Sequence, residues 1–488
     1  MTNLNSIILD TDSYKVSMWK QYPAGTEYVY SYISSRGGKY KETEFLGMQR
    51  FAKRLSKIRI TKEEVEYANK VWTMHGEPFN YDGWMYIVNE LGGKLPLRIR
   101  AVKEGLIIPT KNVLATIENT DPKCFWLTTW VETPALRAIW YPTTVGTTSW
   151  HIKQEILNYL EKSGDPTTIG FKLHDFGARG VSSEESARIG GMAHLVNFMG
   201  TDTMSGVLHV MDVYGGDVVG FSIPAAEHST ITSWGRANEV DAYRNMVKQF
   251  GGDGKIVAVV SDSYDIYKAC EMWGTELKDD VVNSGATVVI RPDSGDPVVV
   301  VPKMLRILGE KFGYETNAKG YKVLNNVRVI WGDGINSVSL SSILRCVVDV
   351  AGWSADNIAF GMGGGLLQQC DRDTLKFAMK CSAVGVRETR MNVKIDPVTK
   401  QVDPNGEVFT AVVWRDVFKD PVTDQGKASL KGRVTLWESG GEYETSVDKP
   451  TRWVDKGAEW NDAMVNYFED GELMFSQSFE QVRANSNM

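Results

Sequence analysis

The chain has 488 residues, of which 42% are hydrophobic and 24% are charged, a composition that is typical of globular proteins and excludes a disordered chain. The formal net charge of -7 argues against an extended nucleic-acid-binding surface, although a few arginines and backbone N–H groups can still bind an anionic small molecule. The N-terminal residues lack a basic region followed by an apolar core, and no stretch reaches the roughly 18 apolar residues of a membrane span. We therefore expect a cytoplasmic protein that binds neither nucleic acid nor membrane.

Residues 1–150 are predicted to form an N-terminal α+β region, because several short β-like runs accompany one strong helix signal there. That helix is predicted to run from Thr61 to Gly76, since Thr61 and Glu64 have the spacing of a capping box and Gly76 supplies a stop signal. Residues 383–488 return to β-like runs separated by turn signals. We expect this C-terminal β-rich segment to pack with the N-terminal region.

Between these two parts, residues 151–382 show alternating strand and helix signals. Short apolar strands that are each followed by a helix are typical of a parallel sheet covered by helices, which is an α/β fold. Because the strands end in turns rich in glycine and aspartate, we predict a (β/α) barrel, with a doubly wound open sheet as the alternative. The clearest strands are predicted at 255–263, 286–297, 327–336 and 356–367.

Clusters of glycine and aspartate follow several of these strands. The run GMGGGLL at 361–367 leaves backbone N–H groups free at a possible helix start and has no Cβ to obstruct a phosphate, although it could equally be a tight turn. Arg291 can pair with phosphate, and Asp293 can accept ribose hydroxyls or hold Mg²⁺. Asp262 and Asp333 occupy similar strand ends. A ring of acids around a sugar and a metal would explain them together, and local turns with ion pairs are the alternative.

Two further segments carry groups that suit a planar amide and a phosphate. Phe176 can stack on a base, Arg179 can bind phosphate, and Asp202 can accept a hydrogen bond from an amide; core packing and helix capping are the alternatives. His228 follows two alanines, and Glu227 could orient one of its ring nitrogens, but a structural histidine is the alternative. No Ser-His-Asp set, HExxH or Walker A motif is apparent.

Together these segments resemble the nicotinamide phosphoribosyltransferases, a family of type II phosphoribosyltransferases. The resemblance covers nearly the whole chain. It implies an irregular (β/α) barrel with an additional mostly antiparallel β domain, and transfer of a phosphoribosyl group from 5-phosphoribosyl 1-pyrophosphate to nicotinamide in NAD salvage. The motifs that carry it are TDSYKVSMWKQYP (11–23), NVLATIENTDP, WLTTWVET, KLHDFGARGVSS, AHLVNF, GTDT, PAAEHSTIT, SDSYDIY, RPDSGDP, GDGIN, FGMGGGLLQ and KDP (419–421).

The resemblance also implies roles for individual residues. The pyridine ring of nicotinamide would lie between Phe176 and, from the second subunit of a homodimer, Tyr14. Asp202 would accept the carboxamide NH₂ and disfavour nicotinate, and ATP would phosphorylate His228 as a co-substrate. The implied catalytic set is His228, Asp262, Arg291 and Asp293, and the other implied substrate-binding residues are Arg179, Ser222, Ile223, Ala225, Gly332, Asp333, Gly363, Gly364, Arg372, Lys380 and Arg36.

Mg²⁺ is implied as a cofactor that is carried by the pyrophosphate, with no protein ligands assigned. The sequence departs from the family pattern at Ala178, Ile223 and Ala258, where relatives often have tyrosine, valine and serine, and its stretch at 383–413 looks longer than in the animal enzymes. Two alternatives stay open: a nicotinate phosphoribosyltransferase, and a non-catalytic relative that binds the same ligands. Asp202 argues against the first, and retention of the acids, arginines and glycines argues against the second.

Overall fold

The computed structural model describes residues 6–392, 407–452 and 457–487, so the middle of the long stretch expected at 383–413 lies outside the described residues. The chain forms two compact units, one made of 1–144 with 371–488 and the other of 145–370. The sequence-based borders at 150 and 382 differ from these by 6 and 12 residues; position 150 lies inside one continuous helix and position 382 inside one continuous strand. No helix in the described ranges is both long and apolar enough to cross a bilayer.

Strands and helices are numbered along the chain. The strands are β1 Thr26–Ser35, β2 Glu42–Glu44, β3 Leu97–Val102, β4 Ile107–Pro109, β5 Val113–Asn119, β6 Leu173–Asp175, β7 Gly200–Thr201, β8 Ile256–Val260, β9 Thr287–Arg291, β10 Tyr314–Thr316, β11 Lys322–Leu324, β12 Val327–Trp331, β13 Ile358–Met362, β14 Phe377–Asn392, β15 Glu407–Asp416, β16 Thr435–Ser439, β17 Glu442–Ser446, β18 Asn461–Asp462, β19 Met464–Glu469 and β20 Glu472–Leu473. The helices are α1 Met48–Ser56, α2 Lys62–His75, α3 Tyr81–Glu90, α4 Leu127–Trp130, α5 Glu132–Ser163, α6 Glu184–His194, α7 Met204–Tyr214, α8 His228–Thr232, α9 Glu239–Phe250, α10 Ile266–Gly274, α11 Lys278–Ser284, α12 Pro297–Phe312, α13 Ser337–Arg345, α14 Gly364–Leu367 and α15 Phe479–Ser486.

The unit of residues 1–144 and 371–488 is built on an antiparallel sheet with the strand order β15-β14-β1-β5-β3-β19-β20. Its core contains a cluster of tryptophans: Trp84 contacts Trp126 and Trp130 edge to face, with ring centroids 5.0 and 5.2 Å apart. The predicted helix is α2, and its capping box is present, because the Thr61 side chain accepts the N–H of Glu64. The predicted helix, its capping box and its end at Gly76 are therefore confirmed.

The unit of residues 145–370 contains a parallel sheet with the order β7-β6-β13-β12-β9-β8. Its two edges are joined by the segment 221–226, since Phe221 forms a parallel bridge with Gly200 of β7 and Ala225 forms one with Ala258 of β8. The N–H of Ala226 also donates to the carbonyl of Ala258 at 3.0 Å. The sheet is therefore closed into an irregular barrel, which confirms the predicted fold and excludes a doubly wound open sheet.

The four strands predicted for this unit are β8, β9, β12 and β13, and each is shorter than the predicted segment because its polar end forms the following turn. Helices follow these strands, as the alternation predicts: α10 follows β8, α12 follows β9 and α13 follows β12. In a parallel barrel all strands end at the same rim, so the polar turns meet there. The fold therefore places the predicted ligands on one face of this unit.

Candidate active site

A cavity of about 290 Å³ opens at the carboxyl ends of the barrel strands. Phe176 follows β6, Asp202 follows β7, and Arg291 ends β9, so three separate strands contribute to it. The structure thus brings together four predicted ligands, and it adds Thr203, which sequence reasoning did not single out. The lining residues are Phe176, Ala178, Arg179, Asp202, Thr203 and Arg291.

The Phe176 ring lies against two glycines at neighbouring strand ends. A Cβ atom on Gly361 would be 1.9 Å from the ring atom Cε2, and one on Gly332 would be 3.2 Å from it. The backbone N–H of Phe176 donates to the carbonyl of Met362 at 3.0 Å, which fixes the turn that carries the ring. Gly332, predicted as a substrate-binding residue, therefore leaves room for the ring. The ring lies closer still to Gly361, where a side chain would overlap with it.

Asp202 is half-buried and holds two side-chain partners. Its Oδ1 accepts the hydroxyl of Ser222 at 2.5 Å and lies 3.2 Å from Nε2 of His174. Burial would raise the pKa of Asp202, but the hydrogen bonds from His174 and Ser222 and the charge of Arg291 outweigh it, so its pKa lies below the ordinary value. Asp202 is therefore ionised at neutral pH and presents a negative charge to the cavity.

Sequence reasoning missed His174, although it lies two residues before Phe176. It is the middle residue of β6, and it is only partly buried whereas both neighbours are buried, so its ring faces the opposite side of the strand and reaches Asp202. Its ring centroid is also 5.3 Å from that of Phe176. The sequence did carry a signal for His174. It is a polar residue in a short strand, and it lies two residues before the predicted ligand Phe176.

His228 is the first residue of α8, and its ring pairs with Asp262 at the end of β8. Nε2 of His228 lies 3.0 Å from Oδ1 of Asp262, and the side chains are 44% and 5% exposed respectively. Glu227, which could have oriented this imidazole, instead accepts the hydroxyl of Ser229 with its carboxylate. Asp262 is distant in sequence but near in space, since the Ala225 bridge joins the two segments.

The second oxygen of Asp262 organises the turn after β9. Oδ2 accepts the N–H of Asp293 at 3.0 Å and the hydroxyl of Ser294 at 2.5 Å. Burial would raise the pKa of Asp262, but the hydrogen bonds from Ser294, His228 and Asp293 lower it below its ordinary value. Asp262 is therefore ionised at neutral pH and connects the histidine segment to the predicted phosphate and ribose ligands.

Arg291 shares this rim, and its Nε is buried without a hydrogen-bond partner among the described residues. A buried cationic donor of this kind is expected to bind an anion, because it is costly to leave unpaired. Asp333 is exposed, and its carbonyl accepts the indole N–H of Trp331 at 2.7 Å. Asp296, three residues after Asp293, caps α12 by accepting the N–H of Val298 at 3.2 Å.

The glycine run after β13 begins the short helix α14, with Gly363 at its N-cap. A Cβ atom on Gly364 would meet nothing within 4 Å, and one on Gly180, which follows Arg179, would lie 3.5 Å from the backbone nitrogen of Gly364. The first N–H groups of a helix have no acceptor within it. The loop is therefore open above Gly364 and lies beside the segment that carries Arg179, which suits a phosphate-binding position.

The segment that closes the barrel carries three of the predicted substrate-binding residues, Ser222, Ile223 and Ala225. Ser222 donates a hydrogen bond to Asp202 at the cavity, and Ala225 forms the bridge to β8 that closes the barrel. Ile223 is partly buried between them. Their positions follow from barrel closure rather than from a regular strand.

Four other predicted ligands belong to the unit of residues 1–144 and 371–488. Tyr14 lies in a short 3-10 helix and is 61% exposed, with the ammonium of Lys15 5.0 Å from its ring centroid. Lys15 is itself buried and pairs with Glu132 at 2.6 Å. Arg372 is exposed and pairs with Asp373 at 3.2 Å. Tyr14 is thus a large aromatic side chain left at the surface of its unit.

Lys380 and Arg36 lie in one basic cluster of the same unit. Burial lowers the pKa of Lys380, Glu132 opposes this, and the cations Arg36, Lys419 and Lys15 lower it further. Several cations around a single carboxylate leave an excess of positive charge, which an anionic ligand can neutralise. The structure therefore groups two predicted ligands with Lys419 of the KDP motif.

Two family models match the chain. Residues 171–410 match the nicotinate phosphoribosyltransferase (NAPRTase) family, and residues 6–99 match the nicotinamide phosphoribosyltransferase N-terminal domain. A nicotinamide phosphoribosyltransferase of Xanthomonas campestris is 51% identical over 492 residues, covering 100% of this chain and 99% of that protein. A nicotinamide phosphoribosyltransferase of Acinetobacter baylyi is 29% identical, covering 97% of this chain and 95% of that protein.

Two solved structures share the fold. A nicotinate-nucleotide pyrophosphorylase from Pyrococcus furiosus has a TM-score of 0.61 at 14% identity, covering 100% of this chain and 96% of that one. Human nicotinic acid phosphoribosyltransferase has a TM-score of 0.54 at 14% identity, covering 98% of this chain and 92% of that one. At this identity the likeness shows the fold alone, which is that of the type II phosphoribosyltransferases.

Proposed function

The chain belongs to the nicotinamide phosphoribosyltransferase family, and on that premise we propose that it forms nicotinamide mononucleotide and pyrophosphate from nicotinamide and 5-phosphoribosyl 1-pyrophosphate, in NAD salvage. One observation carries the substrate assignment: an ionised Asp202 faces a cavity that is lined by the Phe176 ring and two arginines. A pyridine carboxamide can stack on the ring and donate its NH₂ to the carboxylate.

The same carboxylate discriminates against nicotinate. Nicotinate would place its own carboxylate against Asp202, and like charges at close range are strongly unfavourable in a partly buried site. The hydrogen bonds from His174 and Ser222 keep Asp202 ionised, so it cannot readily become a donor to an acid substrate. We therefore assign nicotinamide rather than nicotinate as the substrate.

Catalysis is expected to rest on positioning and electrostatics. The pyridine nitrogen attacks C1 of the ribose as the bond to pyrophosphate breaks, and it carries no proton that a general base would have to remove. Arg179 and Arg291 bind the phosphates, and the open loop at Gly363 and Gly364 binds the 5′-phosphate. The residues of the rim thus hold the two substrates in line and stabilise charge on the leaving group.

Mg²⁺ is proposed to arrive bound to the pyrophosphate. Within the described residues, no group of three His, Cys, Asp or Glu side chains could hold a metal ion by itself. Asp333 is exposed, and a Cβ atom on the preceding Gly332 would be 3.9 Å from Oδ1 of Asp293. These two carboxylates would fit a site completed by pyrophosphate oxygens and water, since Mg²⁺ prefers oxygen ligands. The ion would supply positive charge to the leaving group.

ATP coupling is proposed to act through His228. Asp262 is ionised and can only accept a hydrogen bond, so the proton of the imidazole is assigned to Nε2, which leaves the lone pair of Nδ1 as the nucleophile. Nδ1 would attack the γ-phosphorus of ATP, the bond from that phosphorus to the bridging oxygen would break, and ADP would leave. Water would later cleave the phosphohistidine and release phosphate. The Asp262 carboxylate stabilises the positive charge that develops on the ring.

A homodimer with shared active sites is proposed from the surfaces of the two units. Tyr14 is exposed in its unit. Met204 and Leu208 follow Asp202 closely in sequence, Phe221 forms a bridge with Gly200, and these three side chains are 63%, 57% and 47% exposed. Large exposed apolar side chains that lie close together favour a protein interface. In this arrangement Tyr14 of one subunit would face Phe176 of the other across the pyridine ring.

Cytoplasmic localisation stays a prediction.

The deciding experiment for the activity assays the purified protein with Mg²⁺ and 5-phosphoribosyl 1-pyrophosphate, with either nicotinamide or nicotinate. We expect nicotinamide mononucleotide as the preferred product. Preference for nicotinate would instead make the chain a nicotinate phosphoribosyltransferase. No product from either substrate, with or without ATP, would favour a non-catalytic binding protein.

ATP coupling is tested with His228→Ala and Glu227→Gln. His228→Ala should retain some phosphoribosyl transfer and lose both ATP hydrolysis and stimulation by ATP, because the nucleophile is gone. Glu227→Gln is the matched control: its carboxylate accepts Ser229 rather than touching the imidazole, so coupling should persist. Full stimulation by ATP in His228→Ala would remove this residue from the mechanism.

Site sharing is tested by complementation. Tyr14→Ala and Phe176→Ala are each expected to be nearly inactive, but a co-expressed mixture should recover roughly a quarter of wild-type activity, because half of randomly assorted dimers carry one intact site. Light scattering on the mixture verifies that dimers form. Mixed dimers without recovered activity, or a fully active monomer, would contradict shared sites.

A further inference from the structure

Asp175, the last residue of β6, is a buried carboxyl group that the proposed mechanism does not use. The residue is 0% exposed to solvent and directly precedes Phe176, whose ring forms one wall of the cavity. Its carbonyl accepts the backbone N–H of Asp202, which forms another wall, at 2.9 Å. Asp175 therefore lies beneath both groups that are proposed to hold nicotinamide.

The two oxygens of this carboxyl group face different partners. Oδ1 accepts the N–H of Gly177 at 2.7 Å, which anchors the turn that follows the ring. Oδ2 is buried with no hydrogen-bond partner among the described residues, and so is the hydroxyl of Thr203. A Cβ atom on Gly191 would be 3.5 Å from Asp175 Oδ2 and 3.0 Å from Thr203 Cγ2, so both side chains pack on the same glycine of α6.

We propose that Asp175 is a positioning residue for nicotinamide, and that it couples the turn after Phe176 to the segment that carries Asp202. As a carboxylate it holds the N–H of Gly177 in a charge-assisted hydrogen bond and can also accept the hydroxyl of Thr203. As a neutral acid it binds Gly177 more weakly. The two walls are then held less firmly, so nicotinamide binds less tightly while the reacting groups stay in place.

The switch between the two forms falls within an accessible pH range. Burial raises the pKa of Asp175 to about 6, against the lowering effects of the Gly177 N–H and of His174. Asp202 adds repulsion that raises it further. His174 on β6 and Asp202 after β7 are the titratable groups that interact electrostatically with Asp175. The carboxylate form therefore dominates above about pH 6 and the neutral form below it.

This inference rests on the proposed function, so the wild-type enzyme is assayed first. The KM for nicotinamide and kcat are measured from about pH 5 to about pH 8 for the wild type, Asp175→Asn and the control Asp217→Asn. Asparagine at position 175 can accept the Gly177 N–H and donate to the Thr203 hydroxyl, so it mimics the neutral acid and should fold. Asp217 is exposed and lies outside the site, so its variant reports only the loss of one acidic charge.

For the wild type, the KM should rise as pH falls through about 6. Asp175→Asn should raise the KM about fivefold at pH 8, match the wild type at pH 5 and show no pH dependence between them. Its kcat should change less than its KM, since the reacting groups are untouched. Thr203→Val should move the rise in KM to higher pH, because it removes the hydroxyl that the Asp175 carboxylate is proposed to accept, and Thr203→Ser should return the rise to its wild-type pH. Asp217→Asn should follow the wild type.

A wild-type KM at every pH in Asp175→Asn would overturn the inference. So would a KM that still rises in acid in that variant, because the rise would then belong to a group other than Asp175. A wild-type enzyme that makes no nicotinamide mononucleotide would contradict the proposed function instead. In that case calorimetric titration with nicotinamide itself, over the same pH range and the same variants, tests the inference on binding alone.

Discussion

Replacing Gly361 by alanine tests whether the position of the Phe176 ring determines nicotinamide binding. The new Cβ would lie 1.9 Å from Cε2 and 2.2 Å from Cδ2 of the ring, whereas ordinary contact begins at 3.4 Å. The ring must therefore move by about 1.5 Å, the difference between 3.4 and 1.9 Å. Since a misplacement of about 1 Å can lower a rate on the order of 100-fold, we expect a loss of that order in kcat/KM.

The backbone at Gly361 lies in β13 outside the left-handed region, so alanine can adopt it and the Cβ alone causes the effect. Overpacking should also lower the free energy of unfolding by about 1 to 3 kcal/mol. The assay measures kcat/KM for nicotinamide, with circular dichroism to verify folding and Gly426→Ala as a control at an exposed glycine of the other unit. In the double variant with Phe176→Leu the losses should be less than additive in free energy. A folded Gly361→Ala enzyme with full kcat/KM would refute this reasoning.

Three further changes test other parts of the site. Asp202→Ser should weaken the preference for nicotinamide over nicotinate, measured as the ratio of the two kcat/KM values; an unchanged ratio would mean that Asp202 is misplaced. The pKa of Asp175 is raised from 3.8 to about 6, so its ionisation destabilises the fold as pH rises through 6. Asp175→Asn should therefore be more stable than the wild type by up to about 3 kcal/mol at pH 8, with the difference vanishing near pH 4 in urea unfolding. Ser294→Ala removes a donor that lowers the pKa of Asp262, so it should cost about 1 kcal/mol at neutral pH and progressively less as acid protonates Asp262; a cost independent of pH would contradict that contribution.

Elements whose signals are local could be predicted from the sequence. The capping box of Thr61 and Glu64 and the stop at Gly76 predicted α2, because helix ends are determined by nearby hydrogen bonds. The apolar runs before each Gly and Asp turn predicted β8, β9, β12 and β13. Long motifs predicted the family, and they predicted Phe176 and Asp202 as ligand-binding residues, both of which line the cavity. These inferences depend on residues that are close together along the chain.

Pairings between distant segments could not be predicted in this way. Adjacency in sequence indicates Glu227 as the partner of His228, whereas the partner in the structure is Asp262, which follows β8. The contribution of His174 depends on the direction of its ring from β6. Neither follows from local pattern, because strand register and barrel closure decide which side chains meet.

The sequence by itself determined the chemistry of this protein: the acids, arginines, glycines and the histidine, and the order in which they follow the barrel strands. Only the tertiary structure decided how these groups act together. The closing segment 221–226 brings Ser222 to Asp202 and His228 to Asp262. Burial beneath that rim makes Asp175 a weak acid, with a pKa of about 6. The physical reason is that hydrogen bonds and desolvation depend on distances in space, which the chain sets only when the barrel closes.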